Sequence, residues 1–210
     1  LAEAQSLALF HGTKNGLRTL VVTTEQVYNE FSAGIPTPVA LRDFFKMYYD
    51  RYRSAWNKEK KYALLFGKGS YDYKTRIGNN VNLVPVYESE VSLDPLATYT
   101  SDDFFGFLDD NEDINSGLVL NLLDISLGRI PAKNAAEAKA FVDKLVAYHA
   151  PASLGPWRNN INFVADDEDA NLHLQDAETL TSTASVAAPL FNPYKIYLDA
   201  FLQEGGAAGG

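Results

Sequence analysis

Tyr62-Ala-Leu-Leu-Phe66 runs directly into Gly67-Lys68-Gly69-Ser70. Five consecutive apolar residues closed by glycine are too few for a helix and suit a short strand buried on both faces. Such strands belong to parallel sheets, and the flanking sequence alternates as those sheets require. Upstream, Thr37-Pro38 opens a helix, with Thr as cap and Pro where its missing N–H costs nothing. Leu41, Phe44, Phe45, Tyr48 and Tyr52 share one face of that helix. Earlier still, LRTLVVTT (17–24) is a β-branched run that predicts another buried strand. Ala4, Leu7, Ala8 and His11 recur before it at helical spacing, with stops at Gly12 and Asn15-Gly16. Downstream, 70–116 is long, polar and turn-rich, which is unusual in a compact domain and often functional. Strand character returns over 122–130 (LLDISLGRI), and Asn134 caps a helix with Glu137 at capping-box spacing. Ala138, Phe141, Val142, Leu145 and His149 form the apolar face of that helix. A strand over 160–165, a helix over 172–188 and a strand over 194–198 complete the order.

The predicted fold class is therefore α/β: a mainly parallel sheet with helices on both faces and right-handed crossovers. Functional groups in such sheets gather at the carboxyl ends of strands. Here those ends are Gly67–Tyr73, Gly128–Pro131, Asp166–Asp169 and the residues from Asp199 onward. No internal repeat is evident. The 210 residues, 46% hydrophobic with 12 Tyr and 12 Phe, suffice for one sizeable core. A net charge of -9 argues against nucleic acid, which needs clustered Lys and Arg. No apolar stretch approaches the ~20 residues of a membrane span. The chain has no cysteine, which excludes disulfides, thiolate metal sites and thiol chemistry by these residues alone. Leu1 opens straight into a helical pattern and 205–210 is Gly/Ala only, so the sequence reads as an excised piece.

The individual motifs are weak. Gly67-Lys68-Gly69-Ser70 lacks the Walker spacing, and a tight glycine turn is the better reading. Asp109, Asn111 and Asp113 have the alternation of the first EF-hand ligands, but Ile114 and Leu120 replace the turn glycine and the bidentate Glu. A different oxygen-ligand calcium site in the acidic 102–113 loop stays open. Asp166-Asp167-Glu168-Asp169 follows a predicted buried strand, a position that favours active-site carboxylates and equally suits a solvated loop. His11 and His149 read as core-edge residues. His173, early in the helix after the acids, is the histidine placed near the strand ends. No G-x-S-x-G elbow is present.

Six ordered segments together carry a family resemblance: 15–34, YALLFGKGSYDY (62–73), YTSDDFFGFLDDNE (99–112), LLDISLGRIPA (122–132), WRNNINFVADDED (157–169) and NLHLQDAE (171–178). The chain resembles the first part of the catalytic unit of gingipain-type cysteine peptidases. It looks most like the type IX secretion subgroup that removes C-terminal sorting domains. The resemblance implies a caspase-like, three-layer fold. A first subdomain would occupy 1–150, including the acidic loop, the start of a second 151–204, and a flexible tail 205–210. In the family, a Gly-His-Gly histidine and the nucleophilic cysteine follow the strand matching 194–198, so the chain is catalytically incomplete as it stands.

Matched positions imply Glu168 or Asp167 as the carboxylate that orients the missing histidine, and His173 near the primary specificity pocket. An acid would hold arginine there in the Arg-cleaving members, so arginine specificity is not expected. Family calcium sites point to Asp124, with Asp72, Asp102 or Asp103 rebuilding a second site where Lys68 stands. Calcium would be structural, with no cofactor required for the chemistry. Partners implied are a protein or peptide substrate and other type IX secretion components. The implied location is exported: cell surface, periplasm or outer membrane. The competing expectations are a non-catalytic scaffold and a calcium-dependent binding module.

Overall fold

The computed structural model describes residues 1–56, 61–91, 93–94, 97–112, 114, 122–166 and 169–202. The chain divides into two compact units, Leu1–Tyr148 and His149–Gly210.

In the first unit, α1 (Ala2–Asn15) ends where Gly16 adopts a left-handed φ of 67° and its N–H reaches the His11 carbonyl. α2 (Thr24–Phe31) begins at a capping box: Thr23 Oγ1 accepts from the Gln26 N–H at 3.2 Å, and Gln26 Oε1 accepts from the Thr23 N–H at 2.9 Å. α3 (Pro38–Trp56) starts at the predicted proline, with the Val39 N–H donating to Thr37 Oγ1 at 3.3 Å. β1 (Tyr62–Phe66) pairs in parallel with β4 (Ser126–Ile130), Leu64 opposite Gly128. Between them lie β2 (Tyr87–Glu88) and β3 (Thr100–Ser101), an antiparallel pair, and a 3-10 turn over Asp103–Phe105. α4 (Ala135–Tyr148) follows; Asn134 Oδ1 accepts from the Glu137 N–H, and the Glu137 carboxylate reaches back to the Lys133 N–H, both at 2.9 Å.

Alternate strand residues point to opposite faces, and the β1–β4 pair is covered on both. Phe66 and Ile130 pack with Leu7 and Phe10 of α1 and Ala138 and Val142 of α4. Leu65 on the other face packs with Val27 and Tyr28 of α2, Ala40 and Leu41 of α3, and Val84 and Phe105 of the long loop. Tyr49, Leu108 and Ile125 continue that second core.

In the second unit, β5 (Asn160–Ala165) pairs in parallel with β6 (Asn192–Tyr197), and α5 (Leu172–Ala187) packs on them with Ala177 and Thr181 buried. Glu178 of α5 ties the helix to β6, accepting from Lys195 Nζ at 2.7 Å and the Tyr197 hydroxyl at 2.9 Å. These partners hold the exposed Glu178 carboxyl below the usual carboxylate range, the lysine contributing most.

The α/β class and parallel pairing match the expectation; one predicted strand does not. Residues 17–23 carry no strand, and Thr24, the last residue of the predicted run, belongs to α2. The Thr23 capping box fixes the start of that helix, and no described strand lies beside the β-branched run to complete its hydrogen bonds. Smaller corrections concern boundaries. The predicted strand over 122–130 is confined to Ser126–Ile130, with Leu122 and Leu123 exposed, and His149 falls beyond the end of α4.

Candidate functional site

The carboxyl end of β5 leads into Asp166, which is exposed. The proposed orienting carboxylates, Asp167 and Glu168, lie outside the described residues. After them Ala170 and Asn171 both take left-handed backbone angles, φ 54° and 64°. Asparagine tolerates that region, but alanine does so at a cost of roughly 1 kcal/mol. Strain of this kind is often found at functional sites. The kink turns the chain sharply from the acidic run into α5, whose second residue is His173. That side chain, with Asp166 and Asp176, lines an open cavity of ≈ 480 Å³ floored by Asn162, Val164 and Leu180. Sequence reasoning placed Asp166 and His173 at this strand end, and the structure brings them to one cavity.

In the first unit, the predicted carboxyl ends of β1 and β4 are organised by a residue that sequence reasoning missed. Arg129 uses all five of its N–H groups. Nε and Nη2 donate to the two oxygens of Asp102 at 2.8 and 2.7 Å. Nη1 donates to the carbonyls of Gly67 at 2.8 Å and Val84 at 2.7 Å, and Nη2 also to Pro85 at 3.1 Å. One guanidinium thus joins β4, the glycine turn after β1, the 84–85 loop and the loop carrying Asp102. The available signal was an arginine inside a predicted strand of a sheet expected to be covered on both faces, because such a charge needs partners.

Three of the four candidate calcium carboxylates, those of Asp72, Asp102 and Asp124, already accept hydrogen bonds from protein donors. Asp102 is occupied by Arg129. Asp72 is 8% exposed, and its Oδ2 accepts from the Ile77 N–H at 2.8 Å and from Asn80 at 3.3 Å, fixing the 72–80 loop. Asp124 Oδ2 accepts from the Leu108 N–H at 2.9 Å. Asp103 is exposed, and its carbonyl closes the turn through Gly106. Among the described residues no three His, Asp or Glu side chains assemble to hold a metal. As placed, these four acids do not fit a calcium site. Instead Asp124 belongs to a cluster with Tyr49, Asp109 and Glu112. The Tyr49 hydroxyl donates to Asp109 at 3.0 Å, and Glu112 Oε2 accepts from the Asp109 N–H at 3.0 Å. Burial, reinforced by bonds to Asp124 and Asp109, pushes the Tyr49 hydroxyl far up. Burial and the neighbouring acids likewise raise the Glu112 carboxyl above its ordinary range.

A parallel α/β chain with an acid-lined cavity at a strand end is consistent with many enzymes; comparison with known proteins narrows it. The chain belongs to peptidase family C25, the gingipain family of cysteine peptidases, whose model matches residues 1–210. It is similar to PorU from Porphyromonas gingivalis, in the crystal structure of the dimeric latent form, at 34% identity and a TM-score of 0.61. That match covers 75% of this chain but only 15% of the PorU chain, so the residues here span a small part of that relative. No curated protein matches the chain.

Proposed function

We propose that these residues are the N-terminal part of the catalytic unit of a gingipain-like cysteine endopeptidase, of the type that removes C-terminal sorting signals during type IX secretion. The observation that carries the reading is the family match across all 210 residues in a chain with no cysteine. In this reading both units belong to a caspase-like, three-layer architecture, with a second subdomain beginning near residue 150. The nucleophilic cysteine and its histidine come from polypeptide outside residues 1–210. The thiolate attacks the scissile carbonyl, and the histidine, after taking the thiol proton, delivers it to the leaving amine. Asp167 or Glu168 hydrogen-bonds the far imidazole nitrogen, fixing its tautomer and stabilising the imidazolium. His173 lies at the edge of the primary specificity pocket. The whole protein acts on exported protein substrates at the bacterial surface or in the periplasm.

The test is a peptidase assay on this chain and on the longer natural polypeptide. The 210-residue chain should give no turnover above buffer. The longer protein should cleave, and iodoacetamide or a Cys→Ala change should abolish the cleavage. Turnover by the short chain, or a longer chain that lacks a Gly-His-Gly and a cysteine, would overturn the reading. The second outcome would favour a non-catalytic scaffold of the same fold.

A further inference from the structure

The chain carries a net charge of -9, yet the carboxyl edge of the β1–β4 pair is basic. Lys68, Lys74 and Arg76 lie on the segment that leaves β1, and Lys133 lies on the segment that leaves β4. The two segments meet there, the Lys68 N–H donating to the Ala132 carbonyl at 2.9 Å. None of these four cationic groups bonds to a described residue. The acids beside them are answered by other donors. Asp102 holds Arg129, Asp72 takes the Ile77 N–H and Asn80, and Glu137 takes the Lys133 N–H and the Asn134 amide. Glu88 has one carboxylate oxygen buried. Asp103 is exposed and offsets one of the four charges. A positive surplus remains at the end of the sheet where functional groups collect.

The segment after β1 presents its charges on a fixed frame. The Ser70 N–H donates to Asn82 Oδ1 at 3.2 Å, the Asp72 N–H to Ser70 Oγ at 3.1 Å, and Asn80 Nδ2 to the Asp72 carbonyl at 2.8 Å. With the Asp72 carboxylate, these bonds close the 70–82 loop from within. Between Lys74 and Arg76, Thr75 takes a left-handed φ of 52°. A β-branched residue adopts that conformation rarely and at a cost, and such strain clusters at functional sites. Tyr71 and Ile77, 60% and 49% exposed, flank the two cations with apolar surface. Free cations between apolar flanks suit a short peptide bearing carboxylates. A nucleic acid or an anionic membrane suits them less. Either extends well past the Debye length of about 8 Å and so meets the acidic remainder of the chain.

We propose that this edge of the first unit, carrying Lys68, Lys74, Arg76 and Lys133, is a docking surface for a short acidic segment of a protein partner. Arg76 offers a carboxylate two parallel N–H donors, and the lysines act as point charges around it. Tyr71 and Ile77 cover the apolar parts of the same segment. The surface is a matter of binding alone. It rests on the charges of the first unit and is independent of the peptidase reading.

Fluorescence anisotropy tests it with a labelled peptide, Gly-Glu-Glu-Tyr-Glu-Glu-Gly, and its analogue with Gln for every Glu. Both the 210-residue chain and the longer natural polypeptide should bind the Glu peptide and not the Gln analogue. Exposed ion pairs are individually weak, so Lys74→Gln with Arg76→Gln should loosen binding about fivefold. Adding Lys68→Gln and Lys133→Gln should bring the loss to at least about tenfold. Raising the salt from about 0.05 to about 0.5 M should weaken the wild type by a similar factor. Lys139→Gln, whose charge already answers Asp143, should bind as the wild type does. The replaced cationic groups bond to no described residue, so circular dichroism of the quadruple variant should match the wild type. No binding, equal affinity for the Gln analogue, or full affinity in a folded quadruple variant would overturn the proposal. So would binding by the short chain that the longer polypeptide lacks. Tighter binding of polyphosphate, or of phosphatidylglycerol vesicles, would assign the edge to another anion and refute it. A dimer in sedimentation that the quadruple variant dissolves would give the edge to a second copy, and would refute it equally.

Discussion

Replacing Arg129 with alanine should destabilise the first unit by about 3 kcal/mol. The figure follows from what the side chain touches. Five donors meet three main-chain carbonyls and both oxygens of Asp102, at distances from 2.7 to 3.1 Å. Hydrogen bonds to charged groups are worth about 1.5–3 kcal/mol each before other terms, so a simple sum would approach roughly 10 kcal/mol. Removing the two ions from water takes several kcal/mol per ion from that total. Truncating one partner of a buried pair costs about 3–5 kcal/mol, because the other charge is left stranded. Asp102 keeps 28% side-chain exposure against 12% for Arg129, so water rescues part of its charge and the low end applies. Asp102→Asn should cost less, about 2 kcal/mol, since the guanidinium keeps its three carbonyls. The double-mutant cycle should show a coupling of about 1–3 kcal/mol. Because two units unfold, the readout is exchange of the β1 and β4 amides under increasing urea rather than one global melt. A loss below about 1 kcal/mol for Arg129→Ala, or a coupling near zero, would sink the argument that this guanidinium organises the strand ends.

Gly69→Ala should cost about 1–3 kcal/mol through overpacking: an added Cβ would stand 2.5 Å from Val86 and 2.8 Å from the Val84 carbonyl. Equilibrium unfolding and the loss of Arg129-dependent protection in the 84–85 loop both report it. Phe105, 0% exposed in the core beneath β1, should lose about 3–5 kcal/mol on Phe105→Ala, read as a lower urea midpoint at unchanged slope. Glu112 has a folded pKa raised by burial and by Asp124 and Asp109, so the native state binds its proton more tightly than the unfolded chain. Stability from this group is therefore present at acid pH and lost as pH rises through the ordinary and then the raised carboxylate range. Glu112→Gln should accordingly be more stable than wild type at pH 7, with the gap closing on acidification; an equal gap at both pH values would contradict this. Calcium and chelator should leave the exchange protection of the β1 and β4 amides unchanged, and a rise in protection with calcium would show that the acids regroup around the ion.

What the sequence by itself determined was local. Five apolar residues ending at Gly67 made a strand, Thr37-Pro38 began a helix, and Asn134 with Glu137 began another, because caps and short apolar runs act over three or four residues. The order of six motifs also identified the family, since order along a chain needs no coordinates. The tertiary structure decided what depends on distant partners. LRTLVVTT has strand composition, yet a strand exists only when a neighbour accepts its hydrogen bonds, and none of the described residues does. Asp72, Asp102 and Asp124 looked alike as oxygen ligands. Packing gave one to the Ile77 and Asn80 donors, one to Arg129 and one to the Leu108 amide, because a buried carboxylate bonds whichever donor the fold presents. Arg129 was an unremarked charge in LLDISLGRI until residues 27, 44, 45 and 62 positions away met it at one point.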